Sequence, residues 1–233
     1  MKKALLFDFG GTLDTDGIHW SEKFWETYAL FRIPVLKENF REAFIYSEKK
    51  CADIIKPNFN LMQTFETQLK YQIENLQNNF DLSGVYNQII NKLSEHCYGT
   101  VLHNLKTSRK IIESLAQSYL LGLVSNYYGN VEAVLKELSL KKYFTSIVDS
   151  TVIGIRKPDA QIFEAALKEL GVNPTEAIVI GDSYSNDIAP AKLLGCDTIW
   201  INNKGWQNPD EISSADRIIK SIKELPDVLN DFN

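Results

Sequence analysis

The chain has few of the residues that build disulfide frameworks and zinc sites. Its 233 residues include only 3 cysteines and 3 histidines. Cys51, Cys97 and Cys196 lie far apart, and neither they nor the histidines show the close spacing that metal ligands or redox pairs need. The sequence therefore argues against a disulfide scaffold and a zinc site. We expect Cys196, which lies in an apolar context, to pack as a small hydrophobic side chain.

The chain also lacks an excess of basic charge and lacks long apolar runs. Its net charge is -5, and no Lys/Arg cluster provides the basic face that binds nucleic acid. No apolar stretch approaches the roughly 20 residues that cross a bilayer, and the apolar run at the start is too short for a secretory signal. We predict a cytoplasmic protein without nucleic-acid or membrane partners, either a monomer or a homodimer.

Two apolar runs each end at an acidic residue. The run ALLF at 4–7 leads into Asp8 and two glycines, and the run AIVI at 177–180 leads into Gly181 and Asp182, with Asp187 shortly after. Glycines let a backbone turn sharply and approach a ligand closely. Because parallel strands end at the same edge of a sheet, the acids are expected to form one site at that edge. This layout is typical of an enzyme.

The remaining pattern predicts an α/β fold. Runs of β-type residues recur at 5–7, 119–124, 146–149, 178–180, 198–201 and, more weakly, at 217–219. Helical patterns lie between the later runs at 131–138, at 188–194 and from Pro158, placed near a first helical turn, to Leu170 and Gly171. Strands that alternate with helices predict a three-layer, Rossmann-like parallel sheet with helices on both faces.

The stretch over residues 18–98 follows a different pattern. Trp20, Phe24, Tyr28 and Phe31 recur at helical spacing, and we predict three to five helices there with no strand. The chain is thus divided into a core of residues 1–17 and 99–233 and an inserted helical domain of residues 18–98 above the carboxyl edge of the sheet. We expect the aromatic stripe to form the core of that insert rather than a substrate platform.

Four short segments occur in an informative order. They are DFGGTL at 8–13, VSN at 124–126, RKPD at 156–159 and GDSYSND at 181–187. In order and spacing the chain resembles the haloacid dehalogenase (HAD) superfamily, helical-cap subgroup, most of whose members are phosphohydrolases. The resemblance covers essentially the whole chain, with residues 18–98 in the place of the family's cap. It implies the HAD fold and Mg²⁺-dependent hydrolysis of a small phosphorylated metabolite.

The resemblance also implies a role for each motif residue. Asp8 would be the nucleophile that forms an aspartyl-phosphate, Ser125 and the Asn126 backbone would bind the phosphoryl group, and Lys157 would supply a compact cation. The Gly11 backbone and Thr12 would complete the anion cradle. The implied Mg²⁺ ligands are Asp8, the backbone carbonyl of Gly10, Asp182 and, directly or through water, Asp187.

The sequence departs from the family pattern at one position. Phosphatases of the family carry a second aspartate two residues after the nucleophile, as general acid and base, and here that residue is Gly10. The loss of such a group typically costs about 10²–10⁴ in rate. Asp14, Asp16 or His19 could replace it, or the substrate could carry a leaving group that needs little protonation, such as an acyl phosphate. Otherwise the chain is a phosphate-ligand binding protein that turns over poorly.

Other family members also lack that aspartate. Haloacid dehalogenases use no metal and lack the Gly-Asp motif, so Asp182 and Asp187 argue against dehalogenation. Phosphonatases keep Mg²⁺ and use a cap lysine as a Schiff base. The insert offers Arg32 and Arg41 for a haloacid carboxylate, and Lys23 and Lys37 for a Schiff base.

A different enzyme class, the sugar kinases of the actin-like fold, shares the DxGGT start. It does not account for Lys157 or Asp182.

Overall fold

One sheet of parallel strands organises the structure, a computed structural model that describes residues 2–77, 86–203 and 214–232. Within these ranges the sheet has six strands in the order β3-β2-β1-β4-β5-β6, and every neighbouring pair is parallel. The predicted α/β class and all six predicted strands are confirmed. The strands are β1 Ala4–Phe7, β2 Leu120–Ser125, β3 Ser146–Asp149, β4 Ala177–Gly181, β5 Asp197–Ile201 and β6 Arg217–Ile219.

The described helices fall into an insert and two layers, one on each face of the sheet. The helices are α1 Trp20–Leu30, α2 Lys37–Ile54, α3 Leu61–Gln77, α4 Tyr86–Leu115, α5 Val131–Glu137, α6 Ser150–Ile153, α7 Gln161–Leu170, α8 Ala189–Leu194 and α9 Leu225–Leu229. A π-helical turn covers Tyr184–Ile188, and short 3₁₀ turns cover Lys141–Tyr143, Pro174–Glu176, Ile222–Glu224 and Asn230–Phe232. Over the described ranges, no helix combines the length and the apolar character that a membrane crossing requires.

The ends of the predicted helices are mostly as expected. Gly171 and Gly195 follow α7 and α8 in the left-handed conformation, where glycine carries no steric penalty. The placement of Pro158 in a first helical turn was wrong, because α7 begins only at Gln161. The residues before α7 instead form a turn that carries Lys157 into the interior, where it is 5% exposed.

Alternating strand residues fill two cores, one on each face of the sheet. Leu5 and Phe7 belong to a buried cluster that includes residues of α4, α5 and α9, while Ala4 and Leu6 belong to a second cluster with residues of α7 and α8. Side chains of a strand alternate between faces, so both faces of β1 are covered. Cys196 is buried in the second cluster, as expected. These clusters confirm the three-layer arrangement.

The described residues of the insert form helices joined by short connections. Helices α1, α2, α3 and the first part of α4 pack around buried aromatic side chains, among them Phe24, Tyr28 and Phe40. Phe24 and Tyr28 therefore belong to the core, as predicted for the aromatic stripe, whereas Trp20 at its start is only partly buried. Helix α4 runs without interruption past residue 98, and Ser108 in its second half donates a hydrogen bond to the carbonyl of Leu13. Because α4 continues across residue 98, no loop marks the predicted domain boundary there, and that boundary stays a prediction.

The strand order determines where a site can form. After β1, the chain places β2 and β3 on one side and β4, β5 and β6 on the other, so the direction of winding reverses at β1. Ligands in open α/β sheets bind at such reversal points, outside the carboxyl ends of the strands. The residues that follow β1, β2 and β4 meet there, beneath the helical insert.

Candidate active site

Three carboxylates converge at the carboxyl edge of the sheet. Asp8 follows β1, Asp182 follows β4, and Asp187 lies in the π-helical turn. Each offers an oxygen atom, and these three atoms lie within 4.8 Å of one another. The structure thus brings together residues separated by more than 170 positions in the sequence, as the ends of the two strands predict.

Lys157 connects two of these acids. Its Nζ lies 2.6 Å from Asp8 Oδ1 and 2.6 Å from Asp187 Oδ1, and it donates a third hydrogen bond to the carbonyl of Val124 at 3.1 Å. Burial disfavours the charged ammonium, but the charges of Asp187 and Asp8 outweigh it and raise the pKa of Lys157 above its usual value. Lys157 is therefore a fixed cation, with all three N–H groups engaged.

Asn126 holds this lysine in place. Its side-chain amide accepts a hydrogen bond from the backbone N–H of Lys157 at 2.9 Å and donates one to the Lys157 carbonyl at 3.0 Å. The expectation for Asn126 concerned its backbone and a phosphoryl group, and the structure gives its side chain a different task. The neighbouring Ser125 hydroxyl lies 3.3 Å from Asp8 Oδ1.

Two glycines allow the carboxylates to approach the backbone. Gly11 has φ +102°, and a Cβ atom there would lie 2.4 Å from Asp182 Oδ2. A Cβ atom on Gly181 would lie 2.4 Å from Asp187. Real Cβ atoms do not come so close, so side chains at these positions would displace the acids. Gly181 therefore makes room for an acid of the chain itself.

The expected anion cradle is engaged in a different way. The Gly11 N–H donates to Asp14 Oδ1 at 2.8 Å. We predicted that this N–H would face a bound anion, but it is engaged by Asp14 instead. The Thr12 hydroxyl lies 3.2 Å from Asp8 Oδ2 and 3.2 Å from Asp182 Oδ1. It has one proton and can donate to only one of the two at a time. Gly11 and Thr12 therefore fix the acids.

The electrostatics of the site fit a divalent cation. Burial, followed by the charges of Asp8 and Asp187, raises the pKa of Asp182 well above its usual range. Burial also raises the pKa of Asp187 to about 6, although the Lys157 cation opposes this. One lysine does not balance three carboxylates, and oxygen donors are the ligands that Mg²⁺ prefers. The donor set of Asp8, Asp182 and Asp187 is therefore suited to Mg²⁺.

A cavity of about 190 Å³ opens above these acids. This volume lies below the roughly 300–1,000 Å³ of pockets for drug-sized ligands. The core contributes acids and Lys157, and the insert contributes aromatic and polar side chains. The residues that the sequence analysis did not assign to the site are Trp20, Phe44, Glu48, Phe65, Gln68, Tyr127, Tyr128, Arg156, Ser183 and Asn186. Arg156, Ser183 and Asn186 lie inside the quoted motifs RKPD and GDSYSND but were given no role there. For the others, only the helical spacing of Trp20 gave a signal.

The three candidates for the missing proton donor differ in their surroundings. Asp14 lines the cavity, accepts hydrogen bonds from Gly11 and from Trp20 Nε1, and has a pKa raised to about 7, mainly by burial. His19 lines the cavity as well, but its ring nitrogen caps α1, and burial lowers its pKa. Asp16 accepts hydrogen bonds from the Ser221 hydroxyl and the Ile222 N–H. Asp16 therefore has a structural role outside the cavity.

The cations of the insert that alternative reactions would need do not line this cavity. Lys23 forms an ion pair with Glu26, and Lys37 forms one with Glu22. Arg32 and Arg41 are exposed. Among the residues that the structure describes, the Lys and Arg side chains along the cavity wall are Lys157 and Arg156, and both belong to the core.

Comparison with known proteins finds relatives along most of the chain. A family model described as haloacid dehalogenase-like hydrolase matches residues 2–195. A Xenopus laevis protein named haloacid dehalogenase-like hydrolase domain-containing protein 3 is 27% identical over 201 residues, 80% of each chain. A glyceraldehyde 3-phosphate phosphatase from Pyrococcus furiosus is 32% identical over 139 residues. The latter alignment spans 58% of each chain, little more than half of the archaeal enzyme.

The fold also has solved counterparts. A 2-haloacid dehalogenase from Pseudomonas syringae pv. Tomato DC3000 is 25% identical, covers 100% of both chains and gives a TM-score of 0.53. The match extends over both the sheet and the insert. Similar proteins therefore include enzymes with phosphatase and with dehalogenase names, and the site residues must distinguish these reactions.

Proposed function

The chain belongs to the haloacid dehalogenase-like hydrolase family, and we propose that it is a Mg²⁺-dependent phosphatase of small phosphate monoesters or acyl phosphates. In this proposal Asp8 attacks phosphorus, an Asp8–phosphorus bond forms, and the bond to the leaving oxygen breaks. Water then hydrolyses the aspartyl-phosphate and releases phosphate and free Asp8. The relatives named as phosphatases support the general class.

The observation that carries the proposal is the environment of the Asp8 carboxylate. Lys157 Nζ and the Ser125 hydroxyl lie 2.6 and 3.3 Å from Oδ1, and the Thr12 hydroxyl lies 3.2 Å from Oδ2. These donors orient Asp8 at the floor of the cavity. Lys157 also places a fixed positive charge where phosphate would bind, and such preorganised charge stabilises developing negative charge without reorganisation.

The metal ligands of the proposal are Asp8, Asp182, Asp187 and the carbonyl of Gly10. Bound Mg²⁺ would neutralise the negative charge between the attacking carboxylate and the phosphate oxygens. The hydrogen bond from Ser183 N–H to Asp187 Oδ2, at 3.0 Å, orients the Asp187 carboxylate. The hydrogen bond from Trp200 Nε1 to the Asp182 carbonyl, at 2.9 Å, fixes the turn that carries Asp182.

Because residue 10 is glycine, the site has no acidic side chain at this position, and we expect this absence to limit which substrates are hydrolysed. Because glycine provides no proton to the departing oxygen, we expect aryl and acyl phosphates, which leave as weak bases, to be hydrolysed faster than alkyl phosphates. Phosphonate and 2-haloacid hydrolysis are the alternatives within the family. Both are less favoured, since the insert lysines and arginines that they would use do not line the cavity.

The test is hydrolysis of a small panel with and without Mg²⁺. The panel contains p-nitrophenyl phosphate, acetyl phosphate, several sugar phosphates, a phosphonoaldehyde and a 2-haloacid. We expect Mg²⁺-dependent phosphate release that Asp8→Asn lowers about a thousandfold or more. The exposed Asp53→Asn on α2 serves as the matched control. Turnover of the haloacid or the phosphonate alone would move the assignment to that reaction, and no turnover at all would favour a phosphate-ligand binding protein.

A further inference from the structure

A polar cluster in the cavity wall joins the insert to the core. It consists of Glu48 on α2, Gln68 on α3 and Tyr128, which follows β2. Tyr128 and Gln68 are 7% and 6% exposed, and all three side chains line the cavity above Asp8. The mechanism proposed above uses none of them. A half-buried carboxylate at that place is costly unless it is hydrogen-bonded, so the partners of Glu48 are informative.

The hydrogen-bond donors of Tyr128 and Gln68 all bond to other members of this cluster. The Tyr128 hydroxyl donates to Glu48 Oε1 at 2.5 Å. The Gln68 amide nitrogen donates to the same Glu48 oxygen at 2.9 Å and to the Tyr128 hydroxyl at 2.7 Å. Because a carboxylate oxygen only accepts, the amide nitrogen must face Glu48, which fixes the orientation of the Gln68 amide. Neither Tyr128 nor Gln68 has a further N–H or O–H to offer a ligand.

The acceptors of the cluster remain available. Among the described residues, none donates a hydrogen bond to Glu48 Oε2 or to the Gln68 carbonyl oxygen. Neither oxygen is among the buried polar atoms that lack a partner, so both are open to the cavity or its mouth. Burial raises the pKa of Glu48, whereas the hydrogen bonds from Tyr128 and Gln68 favour its carboxylate form. The part of the cavity wall that Glu48 and Gln68 form thus offers hydrogen-bond acceptors.

We propose that Glu48 and Gln68 select substrates whose leaving group carries a hydrogen-bond donor, a hydroxyl or ammonium group, within a few atoms of the phosphate. This inference rests on the proposed function and specifies its substrate class. The cavity of about 190 Å³ suits a leaving group of a few heavy atoms. A donor-free leaving group would leave the Glu48 oxygen without a partner in a partly buried wall, whereas a donor would satisfy it.

Three alkyl phosphates that share a three-carbon chain test the proposal. Propyl phosphate has no donor, glycerol 3-phosphate has hydroxyls, and 3-aminopropyl phosphate has an ammonium group. We expect kcat/KM for at least one donor-bearing compound to exceed that for propyl phosphate by about ten- to a hundredfold, the range for a hydrogen bond to a charged group. The two donor-bearing compounds distinguish hydroxyl from ammonium recognition. Equal kcat/KM for all three compounds would overturn the proposal.

The variant Glu48→Gln tests the residue itself. Its carbonyl oxygen can still accept from Tyr128 and Gln68, but an NH₂ group replaces Oε2, so an acceptor becomes a donor. We expect the ratio of kcat/KM for the donor-bearing compound to kcat/KM for propyl phosphate to fall at least tenfold, mainly through a higher KM for the donor-bearing compound. If Glu48 had only a structural role, Glu48→Gln would lower kcat/KM for all substrates by the same factor. The matched control is Glu42→Gln, an exposed position on the same helix.

Binding separates this proposal from the proposed function. Calorimetric titration of the Asp8→Asn variant with glycerol 3-phosphate, 3-aminopropyl phosphate and propyl phosphate reports recognition without turnover. Tighter binding of a donor-bearing compound, lost in Asp8→Asn/Glu48→Gln, supports the role of Glu48 even if hydrolysis is slow. Hydrolysis of all phosphates without selectivity overturns the inference and leaves the phosphatase proposal intact. If no phosphate is hydrolysed but binding remains selective, the phosphatase proposal fails alone.

Discussion

The indole ring of Trp20 covers Gly10. A Cβ atom on Gly10 would lie 3.6 Å from Trp20 Cδ1, an ordinary van der Waals distance, and Gly10 does not have a positive φ. The backbone therefore does not require glycine here. Trp20 also donates a hydrogen bond from Nε1 to Asp14 Oδ2 at 2.7 Å. Gly10 is thus a chemical departure from the family pattern, in a pocket where the insert contributes the neighbouring side chain.

This relationship predicts that Gly10→Asp is tolerated and active. We expect the rate on alkyl phosphates to rise, by up to about 10²–10⁴, because the new carboxyl group can protonate the leaving oxygen. The rate on p-nitrophenyl phosphate, which needs little protonation, should change less. The isosteric Gly10→Asn is the control, since it fills the same space without an acid. An equal effect of both substitutions would show that the missing proton donor does not limit the enzyme.

The Lys157 ion pairs predict a large effect on stability. In Lys157→Met the carboxylates of Asp8 and Asp187 lose their buried cation. The removal of one partner of a buried pair typically costs about 3–5 kcal/mol in the free energy of unfolding. Urea unfolding in the presence of EDTA measures this, with Lys136→Met at an exposed position of α5 as the control. A loss below about 1 kcal/mol would contradict the assigned role of the ion pairs.

Two glycine substitutions should change stability in opposite directions. Gly11→Ala places a methyl group against Asp182 at a φ of +102°, so it should lower the free energy of unfolding and disturb the acids. Gly99 lies within α4, and no atom lies within 4 Å of the carbon that alanine would add. Because glycine loses more backbone freedom in a helix than alanine, Gly99→Ala should raise the free energy of unfolding by about 0.5–1 kcal/mol. Thermal unfolding of both variants checks the prediction. A stable, fully active Gly11→Ala would contradict the close approach of Asp182.

The acidic cluster predicts stabilisation by Mg²⁺. A cation that binds the folded chain alone raises the melting temperature in a concentration-dependent manner. We expect Mg²⁺ to produce such a rise in the natural sequence and a much smaller one in Asp182→Asn, which removes one of the three carboxylates. Sodium chloride at matched ionic strength controls for screening. If Asp182→Asn retains the full rise, the cation binds elsewhere.

The pKa of Asp14 predicts a pH dependence of stability. Burial raises this pKa from about 3.8 in the unfolded chain to about 7, so the folded state holds the proton more tightly. The contribution of Asp14 is therefore fully present below pH 3.8 and is lost as the pH rises through 7. In EDTA, the free energy of unfolding should fall between pH 5 and pH 8.

The variant Asp14→Asn isolates this contribution from that of Asp187, whose pKa is also raised. Its stability should be lower at pH 5, since an amide replaces one of the acceptors for Gly11 and Trp20, but its decline towards pH 8 should be shallower. Equal slopes in the natural sequence and the variant would show that Asp14 does not titrate in this range.

The sequence by itself determined the sheet and the position of two of the clustered acids. Continuous apolar runs mark strands that are buried on both faces, and parallel strands deliver their last residues to one edge. Asp8 and Asp182 could therefore be assigned to one site from their positions after β1 and β4. The buried aromatic residues of the insert were also predictable, because helical periodicity reports the face that is buried.

Only the tertiary structure decided which side chains contact one another within that site. The hydrogen bond from Tyr128 to Glu48 joins residues 80 positions apart, on elements whose patterns report burial but not partners. Two further contacts were also not predictable from the sequence. The Asn126 side chain bonds to the backbone of Lys157, and the Gly11 N–H donates to Asp14. Local patterns encode periodicity and turns, whereas such pairs depend on how the helices of the insert pack above the sheet.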